Sequence, residues 1–513
     1  MTETNMAAEA ARVAPRDELR HDDDPIVTDA ATDVEVAVRL AAASGVDRSS
    51  RADRARWLTA LADAIEAHRD ELVELAGEET HLGAARLSGE VTRTATQLRF
   101  FAGVALEGSY VEATLDAPDA SLTPPRADLR RILRPIGVVA VFAASNFPFA
   151  FSVLGNDTAS ALAAGCAVVV KAHPGHPRLS RRVAELGRAA LAGAGAPASA
   201  LALVDGFDAG TALVRHPLVS AVGFTGSTRG GRALFDLAAA RPAPIPFYGE
   251  LGSINPVVVT SAAAAADAAG IASGLAGSFT RDGGQYCTKP GLVFVPEGAG
   301  FERELATALT EAPSQALLTD GIAAAHDTGS AALVARDDVE FVFAGERIAD
   351  ASTPVIAAAP VVVATSAEAF VAAHEVFLEE CFGPLTVLVR YADAASLAAA
   401  LAVLEGSLTG TIQHAPGEDV AELTVALERV AGRVVFNGWP TGVAIAWAQH
   451  HGGSWPASTA SVHSSVGATA IRRWLAPIAY QDAPASVLPP ELADGNPLGI
   501  PRREDGVLIS APH

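Results

Sequence analysis

Short β-branched runs alternate with helical stretches from residue 138 to residue 250, and the alternation then begins again. Residues 138–143, 167–171, 201–204 and 219–225 read as strands, with helices over 157–164, 179–192 and 209–216 between them. Apolar strands that are each followed by a helix call for a parallel sheet covered on both faces, an α/β fold. After Glu250, a strand at 256–259, a helix and a strand at 292–295 start a second such unit. A chain of 513 residues needs that second core, because single cores stop growing at roughly 250–300 residues.

The expected boundaries follow from this restart. One domain takes residues 1–126 and 138–250 with a return segment near 445–470, and a second takes 251–444. Residues 127–137 and 471–513 hold short strand-like pieces with prolines and read as an arm. Between 33 and 113 the pattern is helical, with Leu58, Leu61, Ile65, Leu72 and Leu75 recurring at three- and four-residue steps. Residues 1–30 carry few large apolar side chains and read as a loosely held lead-in.

Charge and cysteine usage narrow the partners. With 59 acidic against 37 basic residues the formal net charge is −22, a surface that repels nucleic acid and anionic membrane. Cys166, Cys287 and Cys381 are odd in number and widely spaced, which fits neither a disulfide framework nor a structural metal site. No basic-then-apolar leader is visible, so a cytoplasmic setting is expected. The alanine-rich run at 261–276 reads as a helix of the fold and not as a membrane span.

Three clusters carry chemistry. Cys287 lies in Gly284-Gln285-Tyr286-Cys287-Thr288-Lys289-Pro290-Gly291, a polar, glycine-flanked loop suited to a reactive thiol. A lone cysteine is more often a small core residue, but Cys166 and Cys381 lack such flanks. Phe224-Thr225-Gly226-Ser227-Thr228-Arg229-Gly230-Gly231 joins a strand to a helix, where backbone N–H groups favour a phosphate. Tyr248-Gly249-Glu250-Leu251-Gly252 sets one carboxylate in an apolar stretch, where burial is expected to raise its pKa toward that of a general base.

Together, and in this order, the clusters resemble the aldehyde dehydrogenase superfamily from about residue 30 onward. Ala144-Ser145-Asn146-Phe147-Pro148-Phe149, Val170-Lys171-Ala172-His173-Pro174 and Glu379-Glu380-Cys381-Phe382-Gly383-Pro384 resemble further motifs of that family. The resemblance implies a Rossmann-like cofactor domain, a second α/β catalytic domain and a β oligomerisation arm. It also implies that Cys287 attacks the aldehyde, Asn146 holds the oxyanion with the Cys287 N–H, and Glu250 activates water against the thioester. Lys171 is implied as a cofactor-ribose lysine and counted among the catalytic residues. Gly226, Ser227 and Gly231 would meet the phosphates, Glu380 the nicotinamide ribose, and Phe382 the ring beside it. A homodimer or homotetramer is implied as well.

Residues 155–166, 285–291, 435–442 and 451–458 resemble the α-ketoglutaric semialdehyde (2,5-dioxovalerate) branch, which also holds NADP-linked fatty-aldehyde dehydrogenases. Arg281 is a candidate partner for a substrate carboxylate, and Phe149 a candidate substrate neighbour. Ala476 stands where the branch usually has a basic residue. Relatives that prefer NAD commonly place a carboxylate three positions after the lysine; here that position is Pro174, so NADP is expected, with NAD also possible. A non-catalytic relative would have lost Cys287 or Glu250, and a CoA-acylating enzyme would have no use for Glu250 as a hydrolytic base. No metal is expected.

Overall fold

The computed structural model describes residues 30–346 and 357–510, so the lead-in expected before residue 30 lies outside the described residues. Val168, Val169 and Val170 are fully buried, as strand residues covered on both faces must be. They belong to a five-stranded parallel sheet in the order Leu201–Val204, Val168–Lys171, Val138–Phe142, Val219–Thr225, Phe247–Glu250. Helices Asn156–Ala164, Pro177–Gly193, Phe207–Arg215 and Thr228–Ala239 make the crossovers. The strand order reverses between Val138–Phe142 and Val219–Thr225, which opens a crevice at the strand C-termini where ligands bind in such sheets.

The N-terminal residues fold into helices Ala30–Ala42, Arg51–Ala67, Arg69–Thr80 and Ala84–Glu107. Leu58, Leu61, Ile65 and Leu72 are buried in the same core as the sheet, and Leu75 packs against it. After Glu250 a seven-stranded sheet forms in the order Glu340–Ala344, Val361–Ser366, Leu385–Tyr391, Leu292–Pro296, Val257–Val259, Ser407–Gln413, Ala431–Phe436. It is parallel except at the edge, where Glu340–Ala344 runs antiparallel to its neighbour. This is the α/β architecture of the aldehyde dehydrogenase fold.

A third sheet runs Leu475–Gln481, Leu129–Pro135, Thr114–Asp116, Arg502–Glu504, Val507–Ile509. Thr114–Asp116 joins it from the sequence side of the boundary drawn at residue 126, because Leu129–Pro135 needs a hydrogen-bonding partner on each edge. Where the chain returns to the first domain, Arg473 donates to Asp157 at 2.7 Å with both side chains almost fully buried. Trp474 donates to Ser160 beside it at 2.8 Å. Removing one member of a buried pair strands the other charge, so Asp157→Ala is expected to destabilise the protein by about 3–5 kcal/mol. A fall in the urea midpoint of the first-domain transition is the readout, and an unmoved midpoint would contradict the burial of the pair.

Candidate active site

Three chain segments meet between the two sheets. Glu250 ends the last strand of the first sheet, Cys287 sits in the loop before Leu292–Pro296, and His451 lies in the return segment. The reactive atoms of the three lie within 4.8 Å of one another. His451 Nε2 is 2.9 Å from Glu250 Oε1 and 3.6 Å from Cys287 Sγ. Ser465 donates its hydroxyl to Glu250 Oε2.

The backbone makes this meeting possible. Gly283 and Gly284 take positive φ values of 69° and 67° in the turn before the nucleophile. A Cβ on Gly284 would lie 2.5 Å from the Gly383 backbone, so only glycine lets the two loops close. Asn255, buried and itself at φ 52°, donates Nδ2 to the carbonyls of Cys287 (2.8 Å) and Lys289 (2.9 Å). Its Oδ1 accepts from the Ser253 hydroxyl and from Thr409. The nucleophile loop is thus tied to the segment that follows Glu250.

His451 Nε2 faces both neighbours, while Nδ1 is buried with no hydrogen-bond partner among the described residues. A proton on Nε2 serves Glu250 and leaves Nδ1 as a bare lone pair, which costs less than a stranded N–H. The Nε2–H therefore points at the carboxylate and, beyond it, at the sulfur. Burial and the neighbouring Glu250 carboxylate hold the Cys287 thiol well above its ordinary pKa. For Glu250 the sequence expectation is corrected. Burial does push its pKa upward, but the His451 interaction and hydrogen bonds from His451, Ser465 and Cys287 outweigh it, and the net shift is downward. Glu250 is an ionised acceptor.

Asn146 Nδ2 donates to the Gln285 carbonyl at 2.9 Å, two residues before the nucleophile. A side-chain amide has two hydrogens, so a second donor remains on that nitrogen. Cys287 opens into a cavity of about 290 Å³ lined by Arg86, Arg93, Phe147, Phe151, Arg281 and Tyr286 among others. Phe149 is corrected: it is buried in the core of the first domain. Glu90 accepts the N–H groups of Phe149 and Ala150 at 2.9 Å each, turning that ring inward and leaving Phe147 and Phe151 toward the cavity.

The expected cofactor residues gather at the C-terminal ends of the first sheet. Ser227 caps helix Thr228–Ala239 and accepts from Gly230 N. Gly226 and Gly231 answer to packing: a Cβ would lie 2.8 Å from the Phe224 ring at Gly226 and 2.1 Å from Leu251 at Gly231. Lys171 ends Val168–Lys171 with its ammonium pKa lowered by burial, against the opposing pull of Asp205. It is not among the residues that line the cavity in front of Cys287. Glu380 Oε2 crowds Gly252, where a Cβ would sit 2.6 Å away. Burial lifts this carboxyl to about 7 despite Lys289 nearby. Phe382 packs on the first-domain core. A capped helix N-terminus, a lysine and a carboxyl that can share a proton suit the phosphates and ribose hydroxyls of a dinucleotide.

A buried thiol, a carboxylate and a histidine thus lie together beside an α/β sheet whose strand order reverses to open a crevice. The chain belongs to the aldehyde dehydrogenase family, whose model matches residues 24–469. It therefore oxidises aldehydes with a nicotinamide dinucleotide, NAD or NADP. It is 46% identical over 487 residues to α-ketoglutaric semialdehyde dehydrogenase 2 of Azospirillum brasilense, covering 93% of this chain and 92% of the relative. It is 39% identical over 467 residues to α-ketoglutaric semialdehyde dehydrogenase of Acinetobacter baylyi, covering 90% and 88%. The structure of an NAD-dependent aldehyde dehydrogenase from Sinorhizobium meliloti shares the fold, with a TM-score of 0.73, 24% identity and coverage of 90% and 89%.

His451 had appeared in the sequence only inside a glycine-rich match, one of 13 histidines, with no local sign of a role. Asn255 lies just after the Glu250 motif, and nothing in the sequence singled it out. The electrostatics give a direct check. In the free enzyme, alkylation of Cys287 by iodoacetamide should still be accelerating at pH 9, since the thiol titrates above that value. Glu250→Gln removes a negative charge that opposes the thiolate and should move the alkylation profile to lower pH. An unmoved profile would mean that Glu250 does not act on the sulfur.

Proposed function

We propose that this protein oxidises a short, carboxylate-bearing aldehyde, 2,5-dioxopentanoate (α-ketoglutaric semialdehyde), to 2-oxoglutarate through Cys287. The observation that carries the reading is the cavity in front of Cys287. It is lined by three arginines in a chain whose formal net charge is −22. The names of the two relatives that are 46% and 39% identical agree with it.

The Cys287 thiol gives its proton to the Glu250 side of the cluster, and the sulfur adds to the aldehyde carbon. The second Asn146 Nδ2 hydrogen and the Cys287 backbone N–H meet the oxygen as it gains charge; such a donor is worth about 10²–10³ in rate. When bound, the dinucleotide supplies the two-electron acceptor. Lys171, Ser227 and Glu380 would hold it, with Gly226 and Gly231 shaping the turn and Phe382 closing the side. The oxidised carbon remains on Cys287 as a thioester. Glu250, held by Ser465 and His451 and having released the thiol proton to solvent, takes a proton from the water that cleaves it. One aldehyde, one water and one oxidised dinucleotide yield one carboxylate, one reduced dinucleotide and two protons.

NADP is the preferred cofactor in this reading, with NAD also accepted, because Pro174 leaves no carboxylate beyond Lys171 to repel a 2′-phosphate. The protein works in the cytoplasm as a homo-oligomer assembled through the third sheet. There Val507–Ile509 offers a free edge whose side chains are all exposed. No helix among the described residues is long and apolar enough to cross a membrane. Each aldehyde of a panel (2,5-dioxopentanoate, pentanal, decanal, benzaldehyde) is tested with NAD and with NADP. The semialdehyde with NADP should give the highest kcat/KM, and Cys287→Ala should give none. A higher kcat/KM for decanal rejects the substrate, and an NAD preference of about 100-fold or more rejects the cofactor.

A further inference from the structure

Helix Ala84–Glu107 carries Arg86, Glu90 and Arg93 at four- and three-residue steps, so all three face the cavity. Two of them are already committed to each other. Arg86 pairs with Glu90 and with Asp282 and donates to the Asn146 carbonyl. The other Glu90 oxygen is taken by the N–H groups of Phe149 and Ala150. Arg93, one turn on, finds that carboxylate occupied. Its Nη1 donates to the Val443 carbonyl at 2.6 Å, while its Nε is buried without a hydrogen-bond partner among the described residues. A buried donor in this state has lost its water and gained nothing in return.

We propose that Arg93 is the residue that holds the far carboxylate of the substrate, an inference that rests on the carboxylate-bearing aldehyde proposed above. With Nη1 tied to Val443, Nε and Nη2 are the remaining donors, and they lie on the side of the guanidinium that matches the two oxygens of a carboxylate. The other two arginines are less suited. Arg86 has no free edge, and Arg281 is exposed at the rim with its guanidinium 6.0 Å from the Tyr286 ring centre. Burial lowers the Arg93 pKa against the opposing pull of Glu90, and a bound carboxylate would add to that pull. The Val443 bond also fixes the fork. Arg433 holds the same loop through the carbonyls of Pro440 and Gly442 at 2.7 and 3.1 Å, so two arginines set the wall against which the substrate's far end rests.

The test compares kcat/KM for 2,5-dioxopentanoate and for pentanal, which has the same number of carbons and no carboxylate. It uses the wild type, Arg93→Gln, Arg93→Lys and Arg281→Gln. Arg93→Gln should lower the semialdehyde-to-pentanal ratio by about 10–100-fold, the loss expected for a charge-assisted hydrogen bond. Most of the fall should lie in KM. Arg93→Lys, which keeps the charge and loses the fork, should fall in between, and Arg281→Gln should move the ratio less than Arg93→Gln. A damaged fold would depress both substrates together, so an equal loss, or a ratio that does not move, overturns the assignment to Arg93. A larger effect from Arg281→Gln overturns it too. A wild type with no preference for the semialdehyde overturns the substrate reading underneath.

Discussion

The Asn255 amide is the contact on which the active site depends. It lies just past the strand that ends at Glu250, and its side chain reaches the carbonyls of Cys287 and Lys289. Through Oδ1 it is fixed in turn by Ser253 and Thr409, the latter on the second sheet. One buried side chain with every hydrogen-bonding group satisfied thus sets the distance between base and nucleophile. Without it, the Cys287 loop would lose two of its ties to the segment after Glu250, and misplacement by about 1 Å can cost 10²-fold in rate.

What that spacing achieves is electrostatic. Burial and the ionised Glu250 beside it both disfavour the Cys287 thiolate. His451 offers Nε2–H between them and softens the repulsion when both carry charge. Ser465 holds the opposite carboxylate oxygen, so Glu250 keeps its direction through both halves of the reaction.

The fold was legible in the sequence because strands such as Val168–Lys171 and Val257–Val259 are β-branched runs and helical stretches separate the strands. Cys287 and Glu250 were legible because glycines on either side mark loops brought close to something else. His451 was not, since its two contacts lie 164 and 201 residues away along the chain. That same blind spot reversed the expected shift of Glu250: burial was foreseeable, the imidazole was not. Which phenylalanine of the Asn146 loop would face the cavity was likewise decided elsewhere, by Glu90 capturing two N–H groups. Gly231 showed a turn but not its reason, the approach of Leu251.

The third sheet has a consequence for how the chain is made. Leu129–Pro135 leaves the ribosome long before its neighbour Leu475–Gln481, and Thr114–Asp116 long before its neighbour Arg502–Glu504. Until then Leu129–Pro135 and Thr114–Asp116 have no partners beyond each other, and an unpaired strand edge is where nascent chains stick to one another. The strand answers with Arg130, Arg131 and Arg134 set among Leu129, Ile132 and Leu133, the charged gatekeepers that keep an exposed apolar strand in solution. In the finished protein two of them are spoken for: Arg130 bonds Asp128 and Asp494, and Arg131 bonds Glu112. Charges that guard the strand while it waits become ion pairs in the folded sheet, one of them to Asp494.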